Sequence, residues 1–175
     1  MSGRNNSFSA RKVAFGGILL ALSALTLVLA SILPTSKLAL YALSTFYVAV
    51  FIIEFGIKSG WVFYIASALL GFVTMRGFSA PFLYAAFFGI YGVIKFYIEK
   101  LNNILLEYIL KIIFYNIILF AAITFISNYI MGLVKVDFPW WIVIVASEIV
   151  FIIYDYVLSM LLQYYKDKLR RFLKK

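Results

Sequence analysis

Two carboxylates, Glu148 and Asp155, stand seven residues apart in a run from Trp140 to Leu162 that is otherwise almost wholly apolar. An ionisable side chain inside an apolar span is costly to keep there and normally faces a protein interior, a water-filled cavity or a ligand. Depth separates the two. At 1.5 Å of rise per residue, counted inward from Trp140, Glu148 falls roughly 12 Å and Asp155 roughly 22 Å below the outer surface. Counted inward from Ala80, Lys95 reaches the same level of roughly 22 Å, so Lys95 and Asp155 are expected to form a structural ion pair, with Glu99 and Glu54 in the same layer. No Lys or Arg lies at the level of Glu148. Hydroxyls lie there instead, on Thr26, Thr45, Thr124 and the adjacent Ser147, so Glu148 is expected to hydrogen-bond either one of these or a ligand.

Above Glu148 the outer ends of the spans gather "LPTSKLALY", "MRGFSAPF" and "VKVDFPWW". Trp140 and Trp141 are explained by the aromatic belt at a membrane surface. Aromatic and polar groups over a buried acid also describe a pocket for a flat, partly polar small molecule. The candidate substrate-binding residues are therefore Glu148, Asn128, Arg76, Tyr84, Trp140, Trp141 and Lys37.

The elements that must position these residues follow from composition. Of the 175 residues 65% are hydrophobic and 13% charged, a balance that no water-soluble fold of this size could bury. The apolar runs approach the ~20 residues of a membrane-crossing helix, without the alternation of a membrane barrel. The expected fold is all-α, an integral membrane bundle of six spans at about Val13 to Leu33, Leu38 to Phe55, Ser59 to Val73, Ala80 to Ile98, Ile109 to Met131 and Trp140 to Leu162. The first run is too long for a secretory signal core and is read as a retained helix. With the N-terminus inside, only Lys37, Arg76 and Lys135 of the sixteen Lys and Arg fall outside, which places both termini in the cytoplasm. The chain reads as one domain over residues 1–175, with a basic N-terminus at 1–12 and a basic amphipathic tail at 163–175. That tail and the fourth connection, "KFYIEKLNNILLEYILK", are expected to form a basic cytoplasmic face against anionic headgroups. A net charge of +9 is thus assigned to membrane lipid rather than nucleic acid.

Chemistry is narrowed further by what is missing. The chain has no Cys and no His, which removes thiolate and imidazole catalysis and nearly every zinc or haem site. It has no phosphate-binding glycine loop for ATP. No metal site, cofactor or enzymatic activity is expected, and active transport would need an engine in another subunit.

Ala14, Gly17, Ala21 and Ala24 recur at spacings of three and four and form one small-residue stripe on the first span. Such a stripe lets a second helix approach closely, either within the chain or from a partner.

The basic N-terminus, the stripe of "VAFGGILLALSAL" and the following "LASILPTSKLALYALSTFYVAVFIIEFG" on a six-span, both-ends-in plan resemble the substrate-binding S component of energy-coupling factor transporters. Gly17 and Ala21 fill the small-residue pattern, with Gly in place of its first Ala. The resemblance extends over nearly the whole chain in architecture. It implies a receptor in a bacterial or archaeal plasma membrane that binds a vitamin or micronutrient precursor from outside, under the loop Pro34 to Lys37. The first-helix stripe would dock on a transmembrane coupling subunit, with ATPases supplied in trans. An alternative of another class is a membrane scaffold similar to the MreD cell-shape proteins, with function in the basic cytoplasmic face. A third is a proton-linked carrier using Glu148.

Overall fold

The computed structural model describes residues 2–75, 77, 79–130 and 140–170, with side chains from Ala10 onward except at 34, 125–130, 140, 143 and 169. Helix α1 covers Ser2–Ile32 and is followed by a 3₁₀ turn at Pro34–Ser36. Helices α2 (Lys37–Phe55) and α3 (Ile57–Thr74) come next. Helix α4 (Ser79–Leu83) passes through a π-helical stretch at Tyr84–Gly89 into α5 (Ile90–Glu99), and α6 (Ile104–Ile130) and α7 (Trp140–Tyr164) complete the order, with a second π turn at Tyr165–Leu169. Among the described residues six stretches are long and apolar enough to cross a membrane: Ala10–Ile32, Lys37–Phe55, Ile57–Thr74, Ser79–Glu99, Ile104–Thr124 and Ile144–Lys168. The chain is an all-helical, multi-pass membrane protein.

Two connections are shorter than the sequence suggests. Gly56 adopts φ +82°, a left-handed backbone that L side chains disfavour, and so closes α2 and opens α3 without a loop. The third span thereby gains a full 18 residues. The fourth connection, expected as a long amphipathic surface segment, contracts to four residues between Glu99 and Ile104. Asn102 takes φ +52° there. The Asn103 side chain then accepts the Leu106 N–H at 3.4 Å, capping one of the amides that a helix start leaves unpaired. Glu107, Tyr108 and Lys111 consequently lie on α6 rather than in a loop.

The chain falls into two compact units, residues 1–97 with 162–175, and residues 98–161. In the first, α1, α2 and α3 pack on one another, and α4 with its π-helical continuation packs on α2 and α3. Small residues permit this approach. A Cβ on Gly60 would run into the Ile52 side chain, and one on Gly92 would stand 3.3 Å from the Thr45 carbonyl oxygen. Leu27, Val48 and Val93 are completely buried in the resulting core.

Hydroxyls fix the register of these helices. Ser44 donates to the Tyr84 hydroxyl at 2.9 Å, and Tyr84 donates onward to Ser67 at 3.1 Å. Ser67 in turn donates to the Tyr64 carbonyl at 2.9 Å. Since the single Ser44 proton is used on Tyr84, Ser23, 2.6 Å away, is the donor to Ser44. One directed relay therefore joins α1, α2, the π-helical stretch and α3. The π geometry itself is held from outside. Thr45 donates to the Phe88 carbonyl at 2.7 Å and Tyr64 to the Ala85 carbonyl at 3.0 Å, supplying donors where the wider turn departs from the α-helical ladder.

In the same unit the C-terminal segment, as far as Arg170, lies against α2. Tyr165 is buried edge-on against Phe46, with ring centroids 6.4 Å apart. Arg170 Nε stands 3.0 Å from Glu54 Oε1 in an ion pair, without the alignment of a hydrogen bond. Glu54, expected among the neighbours of Asp155, has Arg170 as its counter-charge.

Tyr84→Phe removes the central member of the relay and leaves the Ser44 and Ser67 hydroxyls short of a partner. It is expected to destabilise the protein by about 1 kcal/mol in reversible unfolding in mixed micelles, with little change in helix content by circular dichroism.

Candidate functional site

The second unit is built on two helices whose contacts pair high numbers with low. Lys111 meets Asp155, Tyr115 meets Phe151 and Asn116 meets Glu148. The pairing is that of an antiparallel helix pair. Each rung needs long side chains, because the closest backbone packing lies among α1 to α4.

The first rung is ionic. Lys111 Nζ donates to Asp155 Oδ2 at 2.9 Å and to Glu99 Oε1 at 3.2 Å. The Lys111 and Asp155 side chains are 8% and 9% exposed, so each strips water from the other, and a charge left there alone would be strongly unfavourable. The middle rung is a stacked pair, Tyr115 and Phe151, with centroids 4.5 Å apart and planes 14° from parallel. On the third rung the Asn116 amide uses both of its protons. One goes to the Ile112 carbonyl at 3.0 Å and the other to Glu148 Oε1 at 3.1 Å. Asn116 is thereby tied to its own helix and holds the carboxylate of the next.

A fourth rung would set Glu107 and Tyr108 against Ser159. The short Ser159 side chain stands there, and its hydroxyl donates to the Asp155 carbonyl at 2.8 Å. A cleft of about 480 Å³ opens at that level. Glu99, Glu107, Lys111 and Asp155 supply its charge, Tyr108 and Tyr156 its rings, and isoleucines its apolar wall. Its size lies within the usual range of ligand sites. Among the described residues no three acidic side chains gather in a way that could hold a metal ion.

The candidate residues are distributed as follows. Glu148 is half-buried on α7 and is bound by Asn116 rather than by a hydroxyl. The expected hydroxyl partners are turned to backbone carbonyls: Thr26 to Ser23, Thr45 to Phe88, Thr124 to Phe120 and Ser147 to Ile144. Tyr84 is completely buried in the relay of the first unit. Lys37 is exposed at the first turn of α2, and Trp141 is exposed on α7. Arg76 and the side chains of Asn128 and Trp140 lie outside the described residues. Asp155 takes Lys111, a cation that the sequence reading left in a cytoplasmic connection. Lys95 belongs to the first unit, where it is buried with its ammonium 6.0 Å from the centre of the Tyr91 ring.

Sequence reasoning missed Lys111, Tyr115 and Asn116. A signal existed in the mirrored spacing, since 111, 115 and 116 on one helix face 155, 151 and 148 on the other.

Asp155→Asn and Lys111→Met are expected to be non-additive, with the double variant more stable than the sum of the single effects implies by about 1–3 kcal/mol, because each single change strands a buried charge. A double-mutant cycle of unfolding free energies checks this, and additivity would reject the rung. No protein-family model, no curated protein and no solved structure matches this chain.

Proposed function

We propose that the chain is a non-enzymatic membrane subunit that captures a small molecule and docks within the bilayer on a transmembrane partner, in the manner of an S component of an energy-coupling factor transporter. The observation that supports this reading best is the way α1 divides its faces. Leu19, Ser23, Thr26, Leu27 and Ala30 are buried inward. On the other side Ala14, Gly17 and Ala21 are exposed and Ala24 is half-buried.

The contrast between adjacent glycines is sharp. A Cβ on Gly16 would come within 3.0 Å of the Phe51 ring, whereas one on Gly17 would meet nothing within 4 Å. Among the described residues, packing therefore does not require the small size of Gly17. Between apolar helices in lipid, close van der Waals approach must supply the attraction that hydrophobic burial supplies in water, and small residues permit it. A stripe left open on the outside of an otherwise packed helix suits a second protein better than it suits lipid.

On this reading both termini are cytoplasmic, the membrane is a bacterial or archaeal plasma membrane, and coupling subunit and ATPases are supplied in trans. The captured molecule would be a vitamin or micronutrient precursor. The directed relay and dense packing around Tyr84 give the first unit a rigid docking body, while the second unit carries polar groups accessible from its cleft.

Gly17→Leu and Ala21→Leu are expected to leave unfolding free energy within about 0.5 kcal/mol of the parent, since neither position is filled from inside. Both are expected to abolish co-purification of the partner from native membranes in mild detergent. Recovery of ATPases and a membrane coupling protein with the parent chain alone fits the proposal. Undiminished recovery with both variants, or recovery of cell-shape proteins instead, contradicts it.

A further inference from the structure

The π turn at Tyr165–Leu169 aims a guanidinium. In a regular α-helix the residue five positions on is turned about 140° away, whereas π geometry brings it back over the first. Here the Arg170 N–H donates to the Tyr165 carbonyl, the bond of that wider turn. Arg170 and Tyr165 therefore share a face, and both meet α2, the ring against Phe46 and the guanidinium beside Glu54. The Glu54 side chain is 7% exposed and that of Arg170 36%. The Arg170 Nε atom is buried against the carboxylate, which leaves the outer Nη1–Nη2 edge accessible. Among the described residues Arg170 donates no side-chain hydrogen bond.

The surroundings of that edge are predominantly basic. Lys166, four residues earlier, is exposed and stands about one turn away. Lys168 is exposed too, with its ammonium 5.3 Å from the centre of the Tyr164 ring. Arg11 on α1 acts electrostatically on Tyr165, so a third element reaches the same corner. Residues 163–175 hold six Lys and Arg against one Asp. The last membrane-crossing stretch runs to Lys168, which sets the corner at a membrane surface rather than in the hydrocarbon centre. An anionic leaflet attracts such cations, and a phosphodiester offers the two oxygens that a guanidinium edge engages together.

We infer that this corner of the first unit is a binding site for the phosphate headgroup of an anionic membrane lipid. The outer edge of Arg170 donates to two phosphate oxygens, and Lys166 flanks it with a second cation. Glu54 is a positioning residue that holds the guanidinium from behind. A lipid bound there also fastens the C-terminal segment to α2. The inference goes beyond docking through α1 and does not depend on it.

The test uses the full chain in maltoside micelles, whose headgroups are uncharged, and follows thermal unfolding as phosphatidylglycerol or, separately, phosphatidylcholine is added. A saturable rise in unfolding temperature with phosphatidylglycerol and none with phosphatidylcholine is expected. The quantity compared between variants is the lipid content at half-maximal rise, which is read from each variant's own lipid-free baseline. Arg170→Gln is expected to raise it about tenfold, as loss of one charged hydrogen-bond partner would. Arg170→Lys keeps a cation beside Glu54 but loses the paired donors, and is expected to raise it about threefold. Glu54→Gln leaves every cation in place and removes an acid, so a general attraction to anionic lipid would hold or strengthen. The positioning role predicts instead a weakening of about threefold. Lys100→Gln, which removes an exposed cation between α5 and α6, is expected to change nothing. No saturable rise with phosphatidylglycerol, equal weakening by Lys100→Gln and Arg170→Gln, or undiminished binding in Glu54→Gln overturns the inference. An equal rise with inorganic phosphate at matched ionic strength overturns its assignment to lipid.

Discussion

Hydrocarbon offers a polar group no partner, and the arrangement of this chain follows from that constraint. Many hydroxyl, amide, ammonium and carboxylate groups set within the six spans find one another across helices or turn back on their own backbone. Each cross-helix pair fixes a register, because a shift of one residue would rotate a side chain by about 100° away from its partner. In the first unit the relay from Ser23 to Ser67 locks four segments at once. In the second, the Lys111–Asp155 and Asn116–Glu148 contacts lock two helices along their length.

The two units satisfy the same constraint by different means, and their functional capacities differ accordingly. Small residues and short hydroxyls draw the first unit tight. Even its π-helical stretch, an irregularity that widens the helix, has Thr45 and Tyr64 donating to its carbonyls. A body so filled offers its surface rather than its interior, and the open stripe on α1 is that surface. The second unit is spanned by long side chains, and where a short one, Ser159, occupies a rung, space remains. Packing thus leaves an open small-residue stripe on one unit and a cleft of about 480 Å³ on the other.

Fold class and span number were legible because they depend on composition and run length, which survive any rearrangement of partners. Individual contacts depend on local backbone choices instead. Lys111 meets Asp155 because α6 begins at Ile104 rather than Ile109. That start depends on a four-residue turn with Asn102 in the left-handed region, a local backbone choice that hydropathy does not record. Glu148 was singled out because no cation shares its level in the sequence. Its partner was sought among hydroxyls, whereas hydroxyls in helices readily satisfy themselves on the carbonyl three or four residues back, as Thr124 and Ser147 do. An amide such as Asn116 has a second proton to spare, and it is the group that crosses to the acid.

The central claim is that the outward face of α1 meets another protein in the membrane. It is tested most directly by placing a photo-activatable benzophenone side chain at Ile18, an exposed position beside Gly17, and irradiating native membranes. The account predicts a discrete cross-linked product whose added mass is that of a second membrane protein, absent when the same group is placed at buried Leu27. Cross-linking at Ile18 to lipid alone would contradict it.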